Sequence, residues 1–200
     1  WAKLRKLRFK RPRRGGAQLE LLQAASDMLT TADLVTTPSD KTGKRVLVID
    51  ADLRSPNLHE LFDVPQGAGV SDYLTQPQAL SLPALVRPTR VPGVGILTAG
   101  TLLTNPASLT SRMEPLLQAA RKVADIVVVD SSPILGASDG FDIIPLVDSV
   151  LLVVRSGRLT GVTAQRMAEL MKRFQAPVAG VVVLAVPARA SDGYGYGYGY

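Results

Sequence analysis

Two unbroken apolar runs in this chain each end in an aspartate: VLVID at residues 46–50, closed by Asp50, and IVVVD at residues 126–130, closed by Asp130. Continuous β-branched runs of this length fit strands covered on both faces, and such strands belong to parallel sheets. Residues 94–97, 150–154 and 178–186 read the same way. Helical stripes lie between them: Leu109, Met113, Leu116, Leu117 and Ala120, then Ala164, Met167, Leu170, Met171 and Phe174. An earlier apolar face joins Leu21, Leu22, Ala25, Met28 and Leu29 within residues 17–29. Residues 64–93, rich in Pro and Gly, read as connecting loops with one short helix. Strands alternating with helices predict an α/β fold, a mostly parallel twisted sheet flanked by helices with right-handed crossovers. Two hundred residues leave room for one such domain and its tails. The expected division is a basic tail at 1–16, the α/β domain at 17–188 and a Tyr/Gly-rich tail at 189–200.

Composition removes several chemistries. The chain has no cysteine, so a disulfide framework, a thiolate metal site and a cysteine nucleophile are excluded. It has one histidine, His59, so a multi-histidine metal site is excluded as well. His59 sits in NLHELF beside Leu58, Leu61 and Phe62 and reads as a packed residue rather than a general base. Ser131 and Ser132 follow Asp130, with no second histidine to activate them.

The net charge of +6 is concentrated at one end. Lys3, Arg5, Lys6, Arg8, Lys10, Arg11, Arg13 and Arg14 all precede residue 15, where there is no acid, while the remaining residues carry 15 basic and 17 acidic groups. Such a block can be a solvated end, a nucleic-acid contact, or a segment lying on anionic lipid, where each Lys or Arg contributes ~1 kcal/mol. No apolar stretch reaches the roughly 18 residues that a membrane-spanning helix needs. The chain starts at Trp1, which is compatible with an upstream transmembrane segment in a longer protein.

The aspartates at the strand ends carry the chemistry. Ligands of a parallel sheet gather at the carboxyl ends of its strands. Asp50 and Asp52 are two residues apart and can point the same way, an arrangement suited to a hard cation such as Mg²⁺ held by one or two carboxylates plus phosphate oxygens. Asp130 is a strand-terminal acid of the kind that holds magnesium in P-loop nucleotidases. Each of these acids alone could simply cap the next turn; two such segments in one chain favour the ligand reading.

The segments KRVLVIDADLRSPNLHELFDVPQGAGVSDYL, LTAGTLLTNPASL and DIVVVDSSPILGASDGFDIIPLVDSVLLVVRSGRLT resemble, in order and spacing, the cytoplasmic domains of the bacterial tyrosine kinases that govern capsule and exopolysaccharide synthesis. The resemblance runs from residue 43 to residue 186. It implies a P-loop fold of the deviant-Walker kind shared with MinD and ParA, with Mg²⁺ and ATP as cofactors and phosphoryl transfer to tyrosines. By position, Asp50 is the catalytic or metal-organising carboxylate. Asp52 supports magnesium and the incoming tyrosine hydroxyl. Arg54 pairs with phosphate or with neighbouring acids. Asp130 is the Walker B residue on the metal, and Asp139 is the acid after the family's DxPP stretch. The family phosphorylates a C-terminal tyrosine cluster, which maps to Tyr194, Tyr196, Tyr198 and Tyr200 in the GYGYGYGY tail. It also implies a polysaccharide chain-length or export membrane protein as partner, a place on the cytoplasmic face of the inner membrane, and no specific nucleic acid.

Two departures from the family pattern stand out. No GxxxxGK[ST] occurs anywhere in the chain, and between VTTPSD and GKRVLVID only Lys41 and Thr42 could stand in for the lost Lys-Thr pair of the phosphate loop. If residues 34–37 form a strand, about eight residues separate it from Val46, too few for the crossover between parallel neighbours. That strand is therefore antiparallel, displaced or absent. Second, the family's ExxRxxR assembly pattern, aligned on Glu20, meets Gln23 and Ser26 in place of arginines, which weakens the case for a ring-shaped homo-oligomer. The sequence supports a tyrosine autokinase-like domain. It also supports a second reading, a catalytically inactive relative serving as a regulatory or scaffold partner of a polysaccharide export complex, its phosphate loop lost by evolution or by a fault in the sequence.

Overall fold

The computed structural model describes residues 44–102, 107–157 and 159–184. The basic tail, the stripe at 17–29, residues 34–37, Lys41, Thr42 and the four tail tyrosines lie outside the described residues. Two compact units are present, one ending at Leu146 and the other beginning at Val147. Among the described residues no helix is long and apolar enough to cross a membrane.

The first unit runs β1 (Val46–Ala51), α1 (Leu58–Leu61), α2 (Val70–Thr75), α3 (Leu82–Leu85), β2 (Arg87–Pro88), β3 (Val94–Leu97), α4 (Ala107–Thr110), α5 (Met113–Val123), β4 (Ile126–Ser131) and α6 (Asp139–Ile143), then a 3₁₀ turn at Ile144–Leu146. Its sheet has the order β2-β3-β1-β4. β1 pairs in parallel with β3 on one side and β4 on the other, and β2 is antiparallel to β3. The apolar run of β1 is buried from Leu47 to Ala51, as expected for a strand with neighbours on both edges. Val48, Ile96, Leu58 and Phe62 form a core cluster on one sheet face, joined by Val46, Val94 and Val128. Leu47, Ile49 and Leu97, on the other face, are equally buried.

The expected stripe Leu109–Met113–Leu116–Leu117–Ala120 is buried throughout, but it is carried by two helices rather than one. The chain breaks at Ser111–Arg112 between α4 and α5, where Thr110 Oγ1 donates to Asp142 Oδ2 at 3.0 Å. Pro115 falls in the first turn of α5, where its missing N–H costs nothing. Residues 64–93 contain two short helices and the strand β2, not the single helix expected. α2 exists because the Asp72 side chain caps its own helix from within, accepting from Gly69 N at 2.9 Å.

The second unit is a β-α-β: β5 (Val150–Arg155), α7 (Gly161–Arg173) and β6 (Val178–Leu184), with β5 and β6 parallel. Thr160 caps α7 by accepting from Thr163 N at 3.2 Å. Met167 and Met171 form the buried stripe of α7, while Phe174, expected on it, is a partly exposed C-cap residue. β4, β5 and β6 are less covered than their apolar runs predict; Val153, Val181 and Val183 are exposed. Among the described residues each of these strands pairs with a single neighbour, which the run's composition cannot reveal.

Candidate carboxylate site

The parallel pairing of β1 and β4 puts Asp50 directly opposite Asp130 at the carboxyl ends of adjacent strands. Asp50 is wholly buried. Its Oδ2 accepts from Leu58 N at 3.1 Å, the first residue of α1, and its Oδ1 has no partner among the described residues. Burial pushes the Asp50 carboxyl up to about 6 against that backbone bond, with the charge of Asp52 adding to the rise. Asp130 is likewise raised to about 6, by burial first and then by the charges of Asp50 and Asp52. Two acids side by side in low dielectric resist joint ionisation, and a cation or a shared proton relieves both.

Asp52 follows β1 and is held by its own turn. Oδ1 accepts from Arg54 N and Ser55 N, both at 3.2 Å, and from Ser132 Oγ at 2.6 Å. All three of these bonds fall on Oδ1, and among the described residues none is made by Oδ2. Ser132 is buried and comes from the loop after β4, so it ties the two strand ends together. Arg54 meets an acid rather than open solvent: its Nε donates to Asp139 Oδ2 at 2.6 Å and its Nη2 to Oδ1 at 3.1 Å, a two-pronged pair. Asp139 is 3% exposed and opens α6, while the Arg54 side chain is 47% exposed. The described structure thus brings Asp50, Asp52, Asp130, Arg54 and Asp139 to one end of the β1–β4 pair. Lys41, Thr42, Tyr194, Tyr196, Tyr198 and Tyr200 lie outside the described residues.

Ser132 and Thr98 are the residues the sequence does not single out as partners of these acids. Thr98 follows β3, is wholly buried, and its hydroxyl has no hydrogen-bond partner among the described residues. Register is what brings it near: Ile49 opposes Leu97, so the next rung sets Thr98 beside Asp50. His59 packs with its Nδ1 buried and its Nε2 4.0 Å from Glu60, consistent with a structural residue.

Among the described residues no three acids or imidazoles are grouped to hold a metal ion by themselves. Magnesium asks for less, one or two carboxylates with water and phosphate oxygens completing its shell. The all-oxygen donor set and the unpartnered Asp50 Oδ1 fit that ion, with Asp52 and Asp130 as the acids available to it. The second unit carries an apolar groove of about 520 Å³ lined by Leu152, Met171 and Val178 among others, with Lys172 as the charged group among the described lining residues.

No protein-family model matches the chain. Curated relatives do. The tyrosine-protein kinase Ptk of Acinetobacter johnsonii is 36% identical over 161 residues, covering 77% of this chain and 21% of the relative. The tyrosine-protein kinase YwqD of Bacillus subtilis is 30% identical over 156 residues, covering 77% of this chain and 65% of the relative. The chain thus spans about a fifth of the length of relatives such as Ptk and about two thirds of YwqD. Among solved structures, the kinase domain of the Escherichia coli tyrosine kinase Etk superposes with a TM-score of 0.68 at 30% identity, over 88% of this chain and 64% of that one. The septum site-determining protein MinD of Pyrococcus horikoshii shares the fold alone, with a TM-score of 0.58 at 15% identity over 76% of this chain and 65% of that one.

Proposed function

Because the chain belongs to the bacterial tyrosine kinases, we propose that it is a protein-tyrosine autokinase-like domain regulating exopolysaccharide or capsule synthesis. The observation that carries this reading is the acid pair Asp50–Asp130 in register, with Asp52 fixed beside it by Ser132. The reaction would move the γ-phosphoryl group of ATP onto a tyrosine hydroxyl of the 189–200 tail, release ADP, and leave the hydroxyl proton on a carboxylate. Magnesium, when bound, neutralises phosphate charge there. Asp52 Oδ2 and Asp130 would hold it, and Asp50, raised to about 6, would suit the proton-accepting role. Arg54, engaged by Asp139, would orient the Asp52 turn rather than grip phosphate. The basic residues 3–14 would rest on an anionic cytoplasmic membrane surface beside an export partner.

The missing phosphate loop favours the second reading, a non-catalytic family member acting as a regulatory partner. Titration of the full chain with a fluorescent ATP analogue, with and without Mg²⁺, separates the two. The kinase reading expects magnesium-dependent binding that weakens at least tenfold in Asp50→Asn and Asp130→Asn, followed by phosphate on the tail tyrosines. No binding up to millimolar nucleotide overturns it and leaves the regulatory reading.

A further inference from the structure

The two oxygens of Asp52 are used unequally. Oδ1 takes three donors: Arg54 N and Ser55 N, both at 3.2 Å, and Ser132 Oγ at 2.6 Å. A carboxylate has about four acceptor positions, roughly two on each oxygen, so three donors fill Oδ1. The two amides belong to the turn that carries Asp52 and move with it. The hydroxyl does not. Ser132 is buried, sits 80 residues along the chain in the loop after β4, and makes a bond of the short, strong kind. The same segment grips the turn a second time. Asp139, 3% exposed, accepts from Arg54 Nε at 2.6 Å and from Nη2 at 3.1 Å. Asp52 is thus fixed by its own side chain and by the residue two places on, in both cases from the segment after β4. In the family's DxPP pattern the place of Ser132 is a proline, which has no hydroxyl, so this bond is a property of this chain.

We infer that Ser132 is a specificity-determining positioning residue: by filling Oδ1 of Asp52 it restricts that acid to one-oxygen coordination of a divalent cation, through Oδ2, and so selects Mg²⁺ over Ca²⁺. Mg²⁺ demands near-ideal octahedral geometry at about 2.0–2.1 Å, takes oxygens from one or two carboxylates, and keeps several waters. Ca²⁺ takes about six to eight oxygens at roughly 2.3–2.6 Å and readily uses both oxygens of one carboxylate. With Oδ1 filled, Asp52 gives the smaller ion what it needs and denies the larger its second oxygen. Without the hydroxyl, only the two long amide bonds hold Oδ1, and the carboxylate is free to turn both oxygens to an ion.

Ser132 has this role only with a divalent cation at Asp52, so the selectivity rests on the proposed function and sharpens it. Besides the acids' charges, two open groups point to a ligand there. Asp50 Oδ1 and Thr98 Oγ1, both on wholly buried residues, have no partner among the described residues, and the register of β1 and β3 sets those residues beside each other. Buried polar atoms of this kind are completed by an ion or by water.

The test uses the full chain and the metals alone. Mn²⁺ reports occupancy by electron paramagnetic resonance, and the site is the class of bound Mn²⁺ lost in Asp52→Asn. Mg²⁺ and Ca²⁺ are each titrated against that class in the unmodified chain, in Ser132→Ala and in Ser132→Cys, which keeps the size and weakens the donor. Ser131→Ala is the control, since the Ser131 hydroxyl donates to the Ser132 carbonyl at 3.4 Å rather than to an acid. Ser132→Ala is expected to shift the preference toward Ca²⁺ by about tenfold, the size of effect that a lost outer partner of a metal ligand has, and Ser132→Cys to shift it the same way by less. The control is expected to stay within about twofold of the unmodified chain. A shift below about threefold in both Ser132 variants, a shift toward Mg²⁺, an equal shift in the control, or an equal loss of both ions overturns the role of Ser132 and leaves the magnesium site standing. If millimolar Mn²⁺ shows no class that depends on Asp52, the role of Ser132 falls together with the magnesium site.

Discussion

The carboxyl end of β3 and the carboxyl ends of β1 and β4 belong to one sheet, yet they treat their acids in opposite ways. Beyond β3, the loop Thr98–Thr101 is docked on the start of α2. Val70 N donates to Thr98 O and Ser71 N to Ala99 O, both at 2.9 Å. Asp72 accepts from Gly69 N, Thr101 N and Thr101 Oγ1 at 2.9, 3.0 and 2.6 Å. Burial alone would raise its carboxyl, but these bonds outweigh it and hold Asp72 below the usual range. One strand over, the backbone bonds to Asp50, that of Leu58 first among them, do not offset its burial, its Oδ1 has no partner among the described residues, and both it and Asp130 are raised. Satisfied acids join pieces of a fold. Under-satisfied acids cost stability and are kept where a ligand or a proton completes them. The difference makes the β1–β4 end, not the β3 end, the candidate site.

The sharpest way to break the contrast is at Gly69. A Cβ there would sit 2.0 Å from Thr98 O and 2.7 Å from Gly100 N, both backbone atoms that cannot swing away. Gly69→Ala is expected to destabilise the first unit by about 3 kcal/mol in denaturant unfolding, because the whole α2–β3 seam must part. An unchanged midpoint would mean the seam is not closed in solution.

Asp50→Asn tests the other side and has the opposite sign. An acid raised to about 6 when folded, against about 3.9 unfolded, makes the charged state costly in the fold. That cost is full above about pH 6 and fades as pH falls toward 4, where folded and unfolded chains both carry the proton. The variant is therefore expected to be more stable by about 2 kcal/mol at pH 7.5 without magnesium, and by little at pH 4. Thermal melts across that range check it; destabilisation at pH 7.5 would mean that Asp50 is a structural acid after all.

Asp72→Ala is expected to cost about 1–2 kcal/mol at neutral pH, the size of a lost cap with its bonds. Because the folded carboxyl lies below its unfolded value, its contribution is full above about pH 4 and is lost as pH falls further. The penalty of the variant should shrink at acid pH, the reverse of the Asp50 profile. Smallest is Thr98→Val, which removes a buried hydroxyl with no partner among the described residues. A change within about 0.5 kcal/mol, or a slight gain, is expected. A loss above about 1 kcal/mol would mean that the hydroxyl is bonded in solution, with Asp50 the nearest acid across the rung.

Much of the fold was legible because the signals were strong and local. The apolar runs at 46–50, 94–97, 126–130 and 150–154 are strands, and the stripe from Leu109 to Ala120 is buried. Asp50, Asp52 and Asp130 could be picked out because an acid at the end of an apolar strand stands apart from its neighbours. Less legible were the breaks. Ser111–Arg112 splits a stripe that keeps its spacing across the gap, and the helices within 64–93 depend on a cap and a docking partner rather than on periodicity.

The sequence by itself determined that this chain is α/β, that its candidate site is built of acids rather than of cysteine or histidine, and that no GxxxxGK[ST] motif occurs in it; composition and local patterning fix these without reference to distant residues. Only the tertiary structure decided that Asp130 faces Asp50, that Ser132 rather than a basic residue holds Asp52, and that Arg54 is spent on Asp139. Each of these joins residues about 80 positions apart, and the strand register and sheet order that bring them together come from packing the whole unit rather than from any one segment.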